Sequence, residues 1–196
     1  GPKELWKTEL GTGASSVAVS RGRLYAMGTV GGQDIVYCLA AETGKEIWRF
    51  TYVCALSTRQ FEGGPAATPT VDGERVYTLS HEGQLFCLDA LDGTRIWSLH
   101  VIHDLGGSRP FWGYAGSPLV AEDKVIVSIG GSGSSSAALD KTTGKLVWKS
   151  GDDKAGYSSP VLFDFQGKPA VAFFKGEALV AQALSDGSEL WRHPWE

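Results

Sequence analysis

The sequence predicts an all-β fold built of four-stranded antiparallel units, and three observations lead to this prediction. Four glycines are each followed four residues later by a tryptophan, and the copies recur at spacings of 49, 51 and 43 residues: Gly44 and Trp48, Gly93 and Trp97, Gly144 and Trp148, Gly187 and Trp191. Short runs between them alternate apolar and polar residues at period two, and Gly and Asp stand at their ends. No segment has a helical period. Repeated four-stranded units of this length indicate the blades of a β-propeller.

The strands of each blade follow in chain order. Blade 1 (11–52) contains SSVAVS, RLYAMG, IVYCLAA and EIWRFTY, and blade 2 (53–100) contains ATPTV, RVYTLS, QLFCLDA and RIWSLH. Blade 3 (101–150) contains SPLVA, KVIVSIG, SSAALD and KLVWKS, and blade 4 (151–196) contains SSPVLFD, PAVAFF, ALVAQAL and ELWRHPW. Turns such as DGE and HEG separate these runs and favour antiparallel hairpins. We therefore expect one partial propeller domain over residues 1–196.

The first ten residues predict a further, outer strand. The run KELWKTEL looks like the last strand of the other units, and Trp6 precedes Trp48 by 42 residues. The fourth unit already has an outer strand of its own, ELWRHPW. The chain thus predicts four blades and one extra outer strand at residues 1–10.

The regularly spaced tryptophans are predicted to pack between blades. The turn glycine allows a tight reversal into the outer strand, and the indole that follows can cover the flank of the adjoining blade. Burial of roughly 150 to 250 Å² of ring surface contributes roughly 4 to 6 kcal/mol per ring as an upper value. We assign this docking role to Trp6, Trp48, Trp97, Trp148 and Trp191, together with the four turn glycines.

Composition excludes several classes of function. The net charge of −4 is spread without basic runs, so nothing indicates nucleic-acid binding. No apolar run is long enough to cross a bilayer. The first ten residues have neither the basic nor the apolar region of a signal peptide. Cys38 and Cys87 occupy equivalent strand positions and are predicted to be buried and unbridged, whereas Cys54 lies in a longer connection.

The third unit carries a recognisable motif. In ALDKTTGKLVW, Ala138, Asp140, Thr143, Gly144 and Trp148 stand at the offsets of a tryptophan-docking repeat. This pattern resembles the repeat of pyrroloquinoline quinone (PQQ) type propellers, and the chain is most similar to their BamB-like bacterial members, scaffolds of the outer-membrane β-barrel assembly machinery. The resemblance implies rings of about eight blades, of which this chain would form roughly half. It also implies a periplasmic or extracellular location.

The resemblance implies a non-catalytic scaffold or protein-interaction module. Its partners would be proteins, with a second copy of the chain completing a ring as one alternative; neither nucleic acid nor membrane insertion is expected. Propeller sites lie on the face that carries the long loops and the hairpins between second and third strands. Contact residues are predicted there: Arg59, Phe61, Glu62, His81, His103, Arg109, Phe111, Trp112 and Tyr114. Glu82, Gln33 and Asp34 are expected to share the same face.

An enzyme is the alternative, either a quinone-dependent dehydrogenase or a carbohydrate-active domain. The resemblance implies that quinoprotein dehydrogenases hold their cofactor with an adjacent cysteine pair and a calcium bound by Glu, Asn and Asp. This sequence has no adjacent cysteines and no asparagine. His100 and His103 are expected on opposite faces of a strand, which disfavours a zinc site. We therefore assign no catalytic residue, metal ligand or cofactor from the sequence.

Overall fold

A computed structural model describes residues 1, 3–58 and 62–195. Within these ranges sixteen strands form and no helix does, which confirms the all-β prediction. The first sheet contains β1 (Ala18–Ser20), β2 (Arg23–Val30), β3 (Gln33–Ala40) and β4 (Glu46–Val53), and the second contains β5 (Thr70–Asp72), β6 (Arg75–Leu79), β7 (Gln84–Asp89) and β8 (Arg95–His100). The third contains β9 (Leu119–Ala121), β10 (Lys124–Ser128), β11 (Ser136–Asp140) and β12 (Leu146–Ser150). The fourth contains β13 (Val161–Phe165), β14 (Lys168–Phe174), β15 (Ala178–Ala183) and β16 (Glu189–Pro194).

Each sheet is an antiparallel meander whose four strands pair in chain order. The β2–β3 hairpin closes with Val30 opposite Gln33. Gly31 and Gly32 form its turn with φ of 59° and 79°, a conformation that glycine adopts without strain. The described residues also contain no helix of the length and apolarity that a membrane span requires. Blade limits at 52, 100 and 150 stay a prediction.

The third and fourth strands of every sheet share one irregularity. The register shifts beside the residue that faces each tryptophan, at Cys38 opposite Trp48, Cys87 opposite Trp97, Ala138 opposite Trp148 and Ala181 opposite Trp191. The facing residue is small in all four sheets. A bulge changes the direction of the side chains beside it. The same bulge therefore lies next to the indole in each of the four sheets.

Neighbouring sheets stack face to face. The first strands of successive sheets contact each other, β1 with β5, β5 with β9 and β9 with β13. A buried core fills each gap: Val36 and Trp48 meet Phe86 between the first two sheets, and Trp148 meets Phe173 between the last two. Stacking of four-stranded meanders with their first strands together is the arrangement of propeller blades.

Four of the predicted docking tryptophans reach across to the next sheet or segment. Each indole Nε1 donates to a backbone carbonyl at about the same distance: Trp6 to Ala41 at 3.0 Å, Trp48 to Ala90 at 3.1 Å, Trp97 to Lys141 at 3.1 Å, and Trp148 to Leu184 at 3.0 Å. Each of these rings lies against the turn glycine of the following unit, Gly44, Gly93, Gly144 and Gly187 respectively. The contribution of these contacts to stability stays a prediction.

The two ends of the described chain depart from the expected pattern. Residues 3–10 are assigned to no strand, in contrast to the outer strand expected at 1–10, and the nearest strand-like pairing is an isolated bridge between Thr12 and Thr29. The segment nevertheless places Trp6 and Leu10 against the outer face of the first sheet. Trp191 is half-buried and contacts Phe163 of its own sheet, with ring centroids 6.3 Å apart.

Candidate functional site

The long loops and the second-to-third-strand hairpins meet at one end of the sheets. We call this end the loop face; it holds the β2–β3 and β6–β7 hairpins and the connections that begin after β4, β8 and β12. Asp34 is the second residue of β3 there, and His81 and Glu82 lie in the β6–β7 hairpin. The two hairpins approach each other there, with His81 Nδ1 4.0 Å from Asp34 Oδ2.

An ion pair joins the second hairpin to the long connection after β8. Arg109 Nη2 lies 2.9 Å from Glu82 Oε1, with about a fifth of the arginine side chain and two fifths of the glutamate side chain accessible. Because both groups are partly solvated, the pair contributes little stability. It fixes a charged rim beside the aromatic residues that follow Arg109 in the chain.

Three aromatic rings form an exposed cluster, and two of them follow Arg109 in the same connection. Phe111 and Trp112 are 55% and 44% exposed, and their rings meet edge to face with centroids 5.6 Å apart. Tyr157, from the connection after β12, lies 5.3 Å from the Trp112 ring and receives the Trp112 backbone N–H on its hydroxyl at 3.5 Å. We call Phe111, Trp112 and Tyr157 the aromatic cluster. Tyr157 was not predicted from the sequence, although it is the aromatic residue of the equivalent connection one blade later.

The other predicted contact residues divide into three groups. Glu62 and His103 are exposed on the loop face. Arg59 and Phe61 lie outside the described residues. His81 and Tyr114 are 1% and 2% exposed, so their prediction as surface contacts is wrong.

Physical reasons account for the burial of these two side chains. The Tyr114 ring packs in the core between the second and third sheets, and its hydroxyl donates to the Ile129 carbonyl at 2.9 Å. An aromatic residue with its polar end satisfied is favoured in a core. The His81 ring is turned inward, where Cys54 and the Ala55 carbonyl face its two nitrogens.

His100 and His103 lie together, contrary to the expectation of opposite strand faces. The strand β8 ends at His100 and the following residues form a turn, so the two ring centroids are 4.2 Å apart. Asp104 accepts the backbone N–H of His100 at 2.7 Å. Burial, with His103 adding to it, lowers the pKa of His100, which favours a neutral ring.

Beneath the loop face, three chemically active side chains converge in the gap between the first and second sheets. Asp34, Cys54 and His81 are all buried, and one donor atom from each lies within 4.8 Å of the others. Cys54 Sγ is 3.7 Å from His81 Nδ1, and Asp34 Oδ2 is 4.0 Å from the same nitrogen. A carboxylate, a thiol and an imidazole in such contact are reactive groups in many proteins.

Hydrogen bonds hold this group in a defined geometry. The Thr29 hydroxyl donates to Asp34 Oδ1, and the Tyr52 hydroxyl donates to Oδ2 at 3.3 Å. Burial first, and the charge of Asp34 second, raise the pKa of Cys54 to about 12, and burial also raises the pKa of Tyr52. The Cys54 thiol is therefore protonated at neutral pH and shielded from solvent, so it lacks the thiolate character of a catalytic nucleophile.

A second buried polar group lies between the third and fourth sheets. The Lys175 ammonium is 3% exposed and donates to the hydroxyls of Ser128 and Ser136 at 3.0 and 2.7 Å and to the Ser135 carbonyl at 2.8 Å. Burial lowers the pKa of Lys175 to about 7. With its three donors satisfied and its side chain covered, this lysine joins the two sheets and is not presented to a ligand.

The side chains that quinone chemistry needs do not come together. Cys38 and Cys87 are buried in separate sheets and Cys54 lies at the loop face, so no two cysteines are adjacent. Among the described residues the sole group of three potential metal donors contains one thiol, one imidazole and one carboxylate, whereas calcium takes six to eight oxygen ligands. The residues present therefore do not fit a quinone with its calcium ion.

Comparison with protein families matches nearly the whole chain. The family described as outer membrane protein assembly factor BamB matches residues 2–108 and again residues 33–195, two overlapping stretches of the repeat. Both matches cover half the chain or more.

Relatives of two kinds share this similarity. The quinohemoprotein alcohol dehydrogenase ADH IIB of Pseudomonas putida is 29% identical over 163 residues, which are 80% of this chain and 21% of that protein. The outer membrane protein assembly factor BamB of Nitrosomonas eutropha is 25% identical over 199 residues, covering 96% of this chain and 44% of that protein. The chain thus spans less than half the length of either relative.

The crystal structure of BamB from Moraxella catarrhalis superposes with a TM-score of 0.62 at 18% identity, over 90% of this chain and 50% of that one. At this identity the superposition establishes the fold alone, and it confirms the β-propeller architecture.

Proposed function

We propose, on the premise that this chain belongs to the PQQ-type repeat family of outer membrane protein assembly factor BamB, that it is a non-catalytic propeller scaffold. Its loop face would bind a protein partner of the outer-membrane β-barrel assembly machinery, in the periplasm.

The aromatic cluster is the observation that carries the proposal. Phe111 and Trp112 are about half exposed although aromatic rings gain most from burial. Aromatic and arginine side chains are enriched at the centres of protein interfaces, and Arg109 precedes Phe111 by two residues in the same connection. The Trp112 ring packs against both Phe111 and Tyr157, and such prior ordering reduces the conformational entropy lost when a partner covers the rings.

The rival role as a quinone-dependent dehydrogenase has support in the alcohol dehydrogenase relatives alone. The donor chemistry of the described residues disfavours it, because neither adjacent cysteines nor a set of oxygen ligands for calcium is present. A second copy of the chain has no support in the comparisons, so a different protein is the partner that we propose.

The test is a binding measurement with the purified outer-membrane β-barrel assembly complex of the source organism on a biosensor surface. We expect the double variant Phe111→Ala/Trp112→Ala to weaken binding by about 30-fold or more, the loss typical of two central aromatic contacts. Leu91→Ala is the matched control, because Leu91 is 69% exposed but lies in the β7–β8 turn at the opposite end of the second sheet.

Unchanged affinity of the double variant would contradict the loop face as the binding surface. Absence of binding by the wild-type chain, together with stoichiometric uptake of added quinone and calcium, would instead favour the dehydrogenase role.

A further inference from the structure

We propose that Asp34, Cys54 and His81 form a binding site for a divalent transition-metal ion, and that zinc is the ion whose ligand chemistry fits them best. The three residues come from the start of β3, the connection after β4 and the β6–β7 hairpin. A metal there would join the first two sheets beneath the loop face. The site is independent of the aromatic cluster on which the proposed function rests.

The distances suit tetrahedral coordination. Zinc–sulfur bonds of about 2.3 Å and zinc–nitrogen or zinc–oxygen bonds of about 2.0 Å place neighbouring ligand atoms roughly 3.3 to 3.5 Å apart. Here His81 Nδ1 lies 3.7 Å from Cys54 Sγ and 4.0 Å from Asp34 Oδ2. Side-chain movements of a few tenths of an ångström would bring these two pairs to coordination distance, and all three donor atoms already lie within 4.8 Å of one another.

The hydrogen bonds of His81 present the correct nitrogen. Nε2 faces the Ala55 carbonyl at 3.1 Å and a Glu82 carboxylate oxygen at 3.3 Å. Both partners are acceptors, so we assign the proton to Nε2, and with this assignment the lone pair of Nδ1 points toward Cys54 and Asp34. Metal-binding histidines have this arrangement, in which the second ring nitrogen donates to a carbonyl or carboxylate.

The carboxylate is oriented in the same way. Hydroxyl groups of Thr29 and Tyr52 donate to its two oxygens, as outer hydrogen bonds do around metal-ligating carboxylates. Coordination would replace the Cys54 S–H bond with a sulfur–metal bond, and the proton would leave to solvent. A thiolate, an imidazole and a carboxylate are the ligand types of zinc and cobalt, whereas calcium and magnesium prefer oxygen alone.

Spectroscopy of the wild-type chain tests the site without relying on any variant. The purified protein, stripped of metal with a chelator, is titrated with Co²⁺ and then with Zn²⁺. We expect one Co²⁺ per chain, with a thiolate-to-cobalt charge-transfer band and the intense visible bands of tetrahedral cobalt, both lost when Zn²⁺ displaces the ion. Binding without the thiolate band, or no binding, would overturn the proposal.

Variants then assign the ligands. Cys54→Ala should abolish the charge-transfer band and weaken Zn²⁺ binding by about 100-fold or more. Cys87→Ala is the control for loss of a buried thiol, and His103→Gln is the control for the adjacent histidines at the surface; both should bind Zn²⁺ as the wild type does. Loss of binding in His103→Gln with retention in Cys54→Ala would place the ion at the surface pair and refute the buried site.

Discussion

The indole of Trp48 lies directly on Gly93, the turn glycine of the next sheet. A Cβ atom added to Gly93 would come within 2.6 Å of the ring, and the glycine itself has a φ of 76°. One residue therefore meets two requirements, a left-handed turn conformation and a flat surface for a ring. This is why the glycine recurs with the tryptophan: each turn serves its own hairpin and the ring from the preceding unit.

Gly93→Ala should destabilise the protein more than an ordinary turn substitution. A left-handed backbone costs alanine about 1 kcal/mol, and displacement of the Trp48 ring adds about 1 to 3 kcal/mol, so the free energy of unfolding should fall by about 2 to 4 kcal/mol. Chemical denaturation measures this change in the free energy of unfolding. Gly73→Ala is the control, since Gly73 has a φ of 59° with nothing within 4 Å of an added Cβ; equal losses in both variants would refute the ring contact.

Trp48→Phe should lower the free energy of unfolding by about 2 kcal/mol. The variant loses the hydrogen bond to the Ala90 carbonyl and part of the buried ring surface between the first two sheets. Trp112→Phe makes the same chemical change at an exposed position of the loop face and should alter stability by less than about 0.5 kcal/mol. An equally small effect of Trp48→Phe would contradict a stabilising role for the indole between the first two sheets.

The repeat made much of the fold predictable from sequence. The strands follow period-two patterns between glycine turns, and the spacing of Gly144 and Trp148 recurs in every unit, so local signals suffice. The second role of the glycines was not predictable, because the ring that lies on each one comes from a tryptophan 38 to 47 residues earlier along the chain.

The loop face was predictable in position but not in detail. Asp34 and His81 were expected on the same face, and they meet. Their convergence with Cys54 depends on how two sheets stack, which no local pattern encodes. Trp112 and Tyr114 are two residues apart, yet one is exposed and the other buried, because the turn between them takes the chain into the core.

Lys175 should make stability depend on pH. Its pKa is about 7 in the folded protein and about 10.4 when unfolded, so the unfolded chain binds the proton more tightly. The resulting cost is largest below pH 7 and disappears as pH rises through the unfolded pKa. Between pH 7 and pH 9 the free energy of unfolding should rise by about 2 kcal/mol more in the wild type than in Lys175→Met.

Denaturation curves of both proteins at several pH values measure this difference. Subtracting the free energy of unfolding of Lys175→Met from that of the wild type cancels the contribution of groups that titrate alike in the two proteins. The upper limit of pH 9 avoids ionisation of the tyrosines. Parallel pH profiles would mean that the hydrogen bonds that Lys175 donates to Ser128, Ser135 and Ser136 keep its ammonium charged throughout.

Substitutions at Tyr114 and Trp112 should have opposite effects, one lowering stability without changing partner binding and the other weakening binding with little change in stability. Tyr114→Phe removes the buried hydroxyl that donates to the Ile129 carbonyl at 2.9 Å, so the free energy of unfolding should fall by about 1 kcal/mol. Partner affinity should not change, because the ring is covered. Trp112→Ala should do the reverse, with a stability change below about 1 kcal/mol because the ring is 44% exposed, and with clearly weaker binding.

The two effects are measured on the same preparations, by denaturation and by the biosensor assay with the assembly complex. Reduced affinity in Tyr114→Phe would mean that the connection after β8 opens when a partner binds, since the hydroxyl is out of reach in the folded structure. Unchanged affinity in Trp112→Ala would remove this ring from the interface. The opposite pattern in the two variants is expected because burial, rather than residue type, decides which aromatic side chain of this connection a partner can touch.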